Sequence, residues 1–441
     1  MISPNITQEN LLQYSEFLRI PSVSIEKTGI QESITWLKAA FNRMHAQEIE
    51  VWNDFGDSPV VMTKFYGNSD QTLLIYNHYD VQPIGDAQAW TTVPFEPTIK
   101  DQKLFCRGAS DCKGEIIARL MMIDHFQNTG GLPCNIVFFI EGEEEIGSPN
   151  LKHYIEKYQE RLKADVSLWE CGWKNENEQL EISCGVKGIL SFDLEVHTAQ
   201  QAIHSSYAGI IQNAGWQLVQ CLASLKNHKN DITINGFHDD IEPLDDYLVE
   251  MIEQLDFDVE KFSDSLKLYA SLIEGNYQKT LISEPTLNIS QIKVGDQSSN
   301  NSIPASASAR IDCRFVPKQS PDRLIQLIET HLKEHDFENV VIKNVHSEIA
   351  YRSDLSSPYV SRLIDSVRKI YGEDNYQLMP NFAGGGPMAL FGERLNIPIV
   401  ALGCSYSGSN VHSSNEHIRL NDLEQNVHCL IDWIEQFSRS I

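Results

Sequence analysis

An acidic cluster follows an apolar run in the segment IVFFIEGEEEIGS, residues 136–148. Five apolar residues lead directly into four glutamates: Glu141, Glu143, Glu144 and Glu145. Carboxylates serve as general acids and bases, and they also bind divalent metal ions. Because a buried charge is tolerated when a cation compensates it, carboxylates at the mouth of a buried segment indicate metal chemistry.

Histidines and further carboxylates follow other apolar runs in the same way. His78 and Asp80 follow LLIYN, and Glu170 follows DVSLW. His412 comes after IPIVALG and a loop rich in Gly and Ser, and Asp111 lies in FCRGASDCKGE, just before a segment with helical spacing. This mixed set of ligand types suits zinc, and also manganese or cobalt. It is too large for one catalytic ion and large enough for two if one carboxylate bridges them.

Each of these residues also has an ordinary structural interpretation. A lone histidine after a strand is commonly a packing or capping residue, and Asp80 alone could belong to a turn. The EGEEE segment could begin a helix, where acidic side chains favour the dipole. The metal hypothesis gains weight because the marked residues come at the same end of successive apolar runs. Asp165 lies at the start of its run and is left out for that reason.

The elements that must position these residues have the pattern of an α/β domain over roughly the first 185 residues. The apolar runs at 73–80, 136–145 and 165–172 lack alternation, which is typical of strands covered on both faces. The segment 113–127 has helical spacing. In an open α/β sheet, ligands bind beyond the carboxyl ends of the strands, so we expect the marked residues to meet there.

After residue 186 the pattern changes to alternation, as in KGILSFDLEVHT and SASARIDCRFVP. Alternation predicts an antiparallel sheet with one covered face, and the α/β pattern returns from about 353. We therefore predict an α/β catalytic domain at 1–186 and 353–441, with a mixed, mostly parallel sheet and helices on both faces. An α+β domain at 187–352 interrupts it.

Composition excludes several functions. The net charge of −26, from 35 Lys and Arg against 61 Asp and Glu, opposes binding to nucleic acid or anionic membranes. No apolar span of membrane length occurs, and the start lacks the pattern of a secretory signal. Nine cysteines without CxxC pairs predict free thiols and a cytoplasmic protein. No GxGxxG or GKS/GKT motif follows the first strand, which argues against nucleotide binding.

Five motifs in order resemble the signature of the co-catalytic zinc metallopeptidases. They are HYDVQP, GASDCKGE, EGEEEIGS, the carboxylate of LWECG and the histidine of VHSSNE, and RIPSVS near the start adds to them. The family includes carnosinase, glutamate carboxypeptidase, peptidase T, succinyl-diaminopimelate desuccinylase and acetylornithine deacetylase. HYDVQPIGDAQAW and EGEEEIGS resemble its dipeptidase, carnosinase-like branch most.

The resemblance implies two divalent metal ions per subunit, with zinc expected first. Five residues would hold them: His78 and Glu170 one ion, Glu145 and His412 the other, and Asp111 both. Glu144 would act as general base on the bridging water, which leaves a metal-bridged hydroxide, and would then protonate the leaving amine. Asp80 would orient the His78 imidazole, as carboxylates beside metal ligands commonly do.

The resemblance also assigns the inserted domain. It would be a ferredoxin-like lid that forms a homodimer through an edge strand and a helix. His204 in AIHSSYAG would reach into the neighbouring subunit's active site and help to stabilise the oxyanion there, and Arg314 in RFVP would bind the substrate carboxylate. Gly385 and Gly386 in NFAGGGPM would bring backbone amides to that carboxylate. The alternatives are an exposed loop histidine, an arginine paired with a surface acid, and a simple turn.

One departure affects the expected substrate. The dipeptidase branch usually has Asp where this sequence has Glu170, whereas Glu is commoner in the carboxypeptidase and deacylase branches. We predict amide hydrolysis of short peptides, with an N-acyl-amino-acid deacylase or carboxypeptidase-type enzyme as the alternative. A metal- or peptide-binding protein without catalysis is the alternative from a different class.

Overall fold

The computed structural model describes residues 8–295 and 301–438. Its α-helices are, in chain order, α1 (Gln8–Leu18), α2 (Ile30–Arg43), α3 (Lys113–Thr129), α4 (Leu151–Tyr158), α5 (Ala214–Leu225), α6 (Asp246–Glu253), α7 (Val259–Ser265), α8 (Tyr277–Ser283), α9 (Pro321–Glu334), α10 (Pro358–Tyr371), α11 (Met388–Leu395) and α12 (Leu420–Glu435). Within these described ranges, none of the helices combines the length and apolar character needed to span a membrane.

The strands are, in chain order, β1 (Glu48–Trp52), β2 (Val60–Phe65), β3 (Thr72–His78), β4 (Thr98–Lys100), β5 (Lys103–Phe105), β6 (Asn135–Glu141), β7 (Val166–Trp169), β8 (Trp173–Lys174), β9 (Leu180–Ser183), β10 (Gly185–Val186), β11 (Gly188–His197), β12 (Ile203–His204), β13 (Thr286–Val294), β14 (Ser302–Ile303), β15 (Ser306–Phe315), β16 (Val340–Glu348), β17 (Tyr351–Arg352), β18 (Tyr376–Met379), β19 (Ile399–Ala401), β20 (Ser405–Tyr406) and β21 (His417–Arg419).

The chain divides into two compact units. The second unit comprises 185–352 and 380–389, and the first comprises the remainder. The predicted boundaries at 186/187 and 352/353 lie within two residues of these divisions. The segment 380–389 differs from the prediction, which placed it with the catalytic domain, because Phe382 exchanges backbone hydrogen bonds with Gly185 and Lys187. The catalytic and lid roles of the units stay predictions, and 1–7, 296–300 and 439–441 lie outside the described residues.

The first unit is built on a ten-stranded mixed sheet with the order β1-β2-β6-β3-β7-β19-β9-β8-β20, in which β18 also pairs with β9. At its centre, β6, β3, β7 and β19 run parallel. Every residue of β3 and β7 is buried, so these strands have no solvent face on which polar residues could alternate. This sheet confirms the predicted α/β class. It also brings the carboxyl ends of four strands to one edge.

Helix α3 carries a buried ion pair that fixes two of these strand ends. Arg119 pairs with Glu115 inside the helix, and both side chains are fully buried. The Arg119 Nη2 atom also donates to the carbonyl oxygens of Glu170 at 3.2 Å and Leu402 at 2.8 Å. These carbonyls lie directly after β7 and β19. A charged residue inside the apolar helix segment therefore holds the carboxyl ends of β7 and β19 in place.

The second unit contains a four-stranded antiparallel sheet with the order β13-β15-β11-β16. With α5 after β11 and α9 after β15, this order is ferredoxin-like, as the sequence predicts. The alternating residues of β11 are fully buried: Leu190, Phe192, Leu194 and Val196. They share a hydrophobic core with residues of β15 and of both helices. The predicted sheet with one covered face is therefore confirmed.

Candidate metal centre

Asp111 lies between two histidines, and each of its carboxylate oxygens faces one of them. Its Oδ1 is 3.0 Å from His78 Nε2, and its Oδ2 is 2.9 Å from His412 Nε2. Each histidine also has its own glutamate: Glu170 Oε2 is 3.6 Å from His78 Nε2, and Glu145 Oε2 is 3.2 Å from His412 Nε2. The five residues thus form two sets of three that share Asp111.

The sheet accounts for this meeting. His78 is the last residue of β3, and Glu170 directly follows β7, the parallel neighbour of β3. Glu145 follows β6, on the other side of β3. Asp111 immediately precedes α3, and the loop after β20 brings in His412. The structure therefore gathers residues that the sequence separates by more than 300 positions.

Two carboxylate oxygens in this cluster lack a hydrogen-bond partner. They are Glu145 Oε1 and Glu170 Oε2, both buried, and no donor reaches them from the residues that the structure describes. An unpaired buried carboxylate oxygen is costly unless a cation compensates it. Four carboxylates converge here, from Asp111, Glu144, Glu145 and Glu170, so two divalent cations would balance their charge. The donor set therefore fits two such ions.

The pKa values of the cluster express the same excess of negative charge. Burial alone would lower the pKa of His78, but the neighbouring Cys112, Glu170 and Asp111 raise it well above its ordinary value. Burial raises the pKa of Glu144 to about 7; His78 opposes the rise, and the charges of Asp111 and Glu145 add to it. Without a cation the cluster therefore retains protons, which a divalent ion would displace.

The four glutamates at and after the end of β6 have four different surroundings. Glu141 accepts hydrogen bonds from the hydroxyls of Tyr76 at 2.6 Å and Ser148 at 2.9 Å. Glu143 is buried and accepts from Asn150 Nδ2 at 2.7 Å. Glu145 faces His412, as described above. Glu144 lies between these, half-buried at the edge of the cluster. The sequence alone left Glu143 without a role, and the structure makes it a structural residue.

Asp80 and Gln82 hold this acidic turn against β3. The Asp80 carboxylate accepts the backbone N–H groups of Glu144 at 3.3 Å and Glu145 at 3.0 Å. Gln82 Nε2 donates to Glu145 Oε2 at 2.8 Å. His78 Nδ1 lies 3.0 Å from the Asp80 carbonyl oxygen and 3.4 Å from its Oδ1. Asp80 therefore contacts both the histidine and the turn, whereas the sequence predicts only the first contact.

The remaining predicted site residues belong to the second unit. His204 is exposed, and its Nδ1 contacts the Ser206 hydroxyl at 2.9 Å. Arg314 donates from Nε to Asp312 Oδ1 at 3.1 Å. Gly385 packs beside Arg314, because a Cβ added there would lie 3.3 Å from Arg314 Nη1 and 2.2 Å from Ile189 Cγ1. No side chain fits at that position, and Gly386 has open space around it.

Comparison with known proteins adds a family match. The sequence model of peptidase family M20/M25/M40 matches residues 74–436. The probable di- and tripeptidase DUG2 of Saccharomyces cerevisiae is 27% identical over 83% of this chain, but this covers only 43% of its own length. The Cys-Gly metallodipeptidase DUG1 of the same yeast is 25% identical over 87% of this chain and 82% of its own length.

A solved structure resembles the whole chain. The metallo-carboxypeptidase Sso-CP2 from Sulfolobus solfataricus, of the M20 family, superposes with a TM-score of 0.88 and is 32% identical. The alignment covers 98% of this chain and 100% of the Sulfolobus chain.

Proposed function

The chain belongs to peptidase family M20/M25/M40, and from this premise we propose that it is a dipeptidase which uses two divalent metal ions to hydrolyse short peptides. One observation carries the proposal: the two oxygens of Asp111 face two histidines, and each histidine has its own buried glutamate. This is the arrangement needed to hold two cations that share one carboxylate.

In this proposal His78 and Glu170 hold one ion, His412 and Glu145 the other, and Asp111 both. Zinc suits this histidine and carboxylate set, and manganese or cobalt could replace it. When bound, such ions polarise the scissile carbonyl and lower the pKa of an attacking water.

Glu144 moves the proton. Its carboxylate takes a proton from the attacking water and delivers it to the nitrogen of the leaving amine. The backbone N–H of Glu144 is anchored by Asp80, so the base keeps its position while its side chain changes protonation state. Asp80 thereby acts through both His78 and Glu144.

The second unit supplies the proposed substrate contacts. Arg314 binds the C-terminal carboxylate of the peptide, because a planar guanidinium suits bidentate contact with a carboxylate. The Nε of this arginine already donates to Asp312, and this hydrogen bond fixes the plane of the guanidinium group. Gly385 and Gly386 bring backbone amides to the same carboxylate. His204 stabilises the oxyanion that forms during attack.

A second candidate function has its own support. Glu170 stands where the dipeptidase branch usually has Asp, and the Sulfolobus relative at 32% identity is named a carboxypeptidase. A carboxypeptidase or N-acyl-amino-acid deacylase needs the substrate carboxylate but no free amino terminus. The two candidates therefore differ at the amino end of the substrate.

A substrate panel separates them. The metal-loaded protein should hydrolyse dipeptides with free termini, and it should fail on the same dipeptides with an amidated C-terminus, because Arg314 then has no carboxylate to bind. The measurement is release of the C-terminal residue of one dipeptide, as the free amino acid from the free and N-acylated versions and as the amino acid amide from the C-amidated version. Equal rates for the free and N-acylated versions would favour the carboxypeptidase or deacylase. Peptide binding without any hydrolysis would instead favour a non-catalytic protein.

We also propose a homodimer, from the uncovered edge of the second unit. Residues 288–294 of the edge strand β13 are all exposed. Ile289, Ile292 and Val294 lie opposite core residues of β15, so they continue its hydrophobic face, but they are 44%, 49% and 48% exposed. Trp216 on α5 is 67% exposed as well. An apolar edge of this kind is expected to pair with a second copy.

Replacing Ile292 with Glu should convert the dimer into a monomer, because the interface would bury an unpaired charge. Light scattering after size exclusion should give twice the 50.0 kDa chain mass for the wild type and one chain mass for the variant. Val345→Glu is the matched control, since Val345 is equally exposed on β16, at the opposite edge of the sheet. A dimeric Ile292→Glu variant would contradict this interface.

The cysteines support a reducing compartment. All nine are free thiols, and proteins with disulfides are characteristic of oxidising compartments. We therefore propose a cytoplasmic location.

A further inference from the structure

Glu416 is a fully buried acid that makes four hydrogen bonds to the segment which carries Asp111. Its Oε1 accepts the backbone N–H groups of Ser110 at 2.8 Å and Asp111 at 2.9 Å. Its Oε2 accepts the N–H of Gly108 at 3.0 Å and Arg107 Nη1 at 2.6 Å. One carboxylate thus binds four of five consecutive residues, 107–111.

These bonds fix a backbone that has no regular structure of its own. The segment between β5 and α3 is a turn in which Gly108 has a positive φ of 83°, so neither a strand nor a helix determines where Asp111 points. Charge-assisted hydrogen bonds to a buried carboxylate are about twice as strong as neutral ones. The N–H of Asp111 itself is one of the donors, so Glu416 acts on the bridging residue directly.

The loop that carries Glu416 also carries His412. Between them, Asn415 accepts the N–H of Thr91 at 2.6 Å and donates to the Ala89 carbonyl at 2.8 Å. His412 and Glu416 are therefore two ends of one anchored loop. One end faces Asp111 Oδ2, and the other holds the backbone of Asp111. Because His412 and Glu416 lie close together on this loop, the position of His412 is tied to that of the Asp111 carboxylate, which it faces.

We propose that Glu416 is a positioning residue for the metal centre: it sets the backbone at 108–111 so that Asp111 presents one oxygen to each histidine. The inference rests on the proposed function in that it takes Asp111 to bridge two ions. Glu416 itself touches neither the histidines nor the proposed ligand atoms. Residues that support metal ligands in this way typically contribute 10–100-fold to metal affinity.

The test is Glu416→Gln, with metal affinity as the readout. Gln has the same shape, but its amide nitrogen is a donor and would face backbone N–H groups or Arg107, which are donors too. We expect the dissociation constants of Zn²⁺ and Co²⁺, measured by competition with a chelator, to rise about 10–100-fold. The visible absorption of the Co²⁺-loaded protein should also change, because it reports the geometry around the ion.

Asp422→Asn is the matched control. Asp422 is also a buried acid of the C-terminal region, and it pairs with Lys174 at 2.8 Å and with Arg419. Its loss should lower the thermal unfolding temperature in the same way as Glu416→Gln, while metal affinity stays at the wild-type value. Both variants should therefore have a lower thermal unfolding temperature. Only Glu416→Gln should lose metal affinity, because only Glu416 positions Asp111.

Glu416→Asp provides a second variant. It keeps the charge and the pairing with Arg107, so it should fold, but its shorter side chain cannot reach all four donors. We expect an intermediate loss of metal affinity. Wild-type metal affinity in both Glu416 variants would overturn the inference, and so would an unfolded Glu416→Asp, which would assign the residue to folding. A wild type that binds two ions but cleaves no peptide would overturn the proposed function and leave this inference intact.

Discussion

Replacing Glu144 with Gln should lower kcat by about 10²–10⁴-fold while the protein still binds two metal ions. Gln has nearly the same size as Glu but can neither accept the proton of the attacking water nor deliver it to the leaving amine. The side chain of Glu144 is half-buried beside the cluster, and its backbone is held by Asp80. The substitution should therefore remove proton transfer without disturbing Asp111 or the two histidines.

The measurements are initial rates on a dipeptide and metal content by elemental analysis of the same preparations. Two neighbouring glutamates serve as matched controls. Glu143→Gln should reduce thermal stability, because it weakens the bonds to Asn150 and the backbone of Asp57, and kcat should stay within a few fold of wild type. Glu145→Gln should lose metal. Wild-type kcat in Glu144→Gln, or loss of metal from it, would reject its role as the base.

The core of the candidate site can be predicted from the sequence because sheet topology places it. Once the apolar runs before His78 and Glu170 are taken as parallel strands, their carboxyl ends must lie at one edge. The structure has β3 and β7 as direct neighbours, so the two side chains meet without any further information. The alternation in β11 and β15 likewise predicts the covered face of the second unit.

Most of the residues that hold this site in place could not be predicted, because they act through distant backbone. Glu416 binds residues more than 300 positions away in the chain, and its place at the end of the VHSSNE motif does not reveal those partners. Arg119 gave a weak signal, since it is a charge inside an apolar helical segment, yet its partners Glu170 and Leu402 follow two different strands. The segment 380–389 joins the second unit through backbone hydrogen bonds that leave no trace in residue type.

Replacing Asp111 with Asn should leave at most one weakly bound ion and abolish hydrolysis. Asn keeps the shape but has one oxygen where Asp has two, and its other atom is an N–H₂ donor. It can face only one of His78 and His412 as an acceptor, whereas Asp111 now faces both at 2.9–3.0 Å. The loss of one negative charge also leaves two divalent ions without the shared carboxylate that reduces their repulsion. Affinity should fall by more than the ~10–100-fold expected for a residue that only supports a ligand.

Asp165→Asn tests the same chemical change at the opposite end of the same sheet. Asp165 immediately precedes β7, and its carboxylate accepts the N–H of Thr72 at 2.7 Å, at the start of β3. Its substitution should affect stability only, because parallel strands place it a full strand length from Glu170. Elemental analysis and Zn²⁺ titration should therefore give two ions for Asp165→Asn and at most one weakly bound ion for Asp111→Asn. Two tightly bound ions in Asp111→Asn would show that no shared carboxylate is needed. This result would contradict the proposal that Asp111 bridges the two ions.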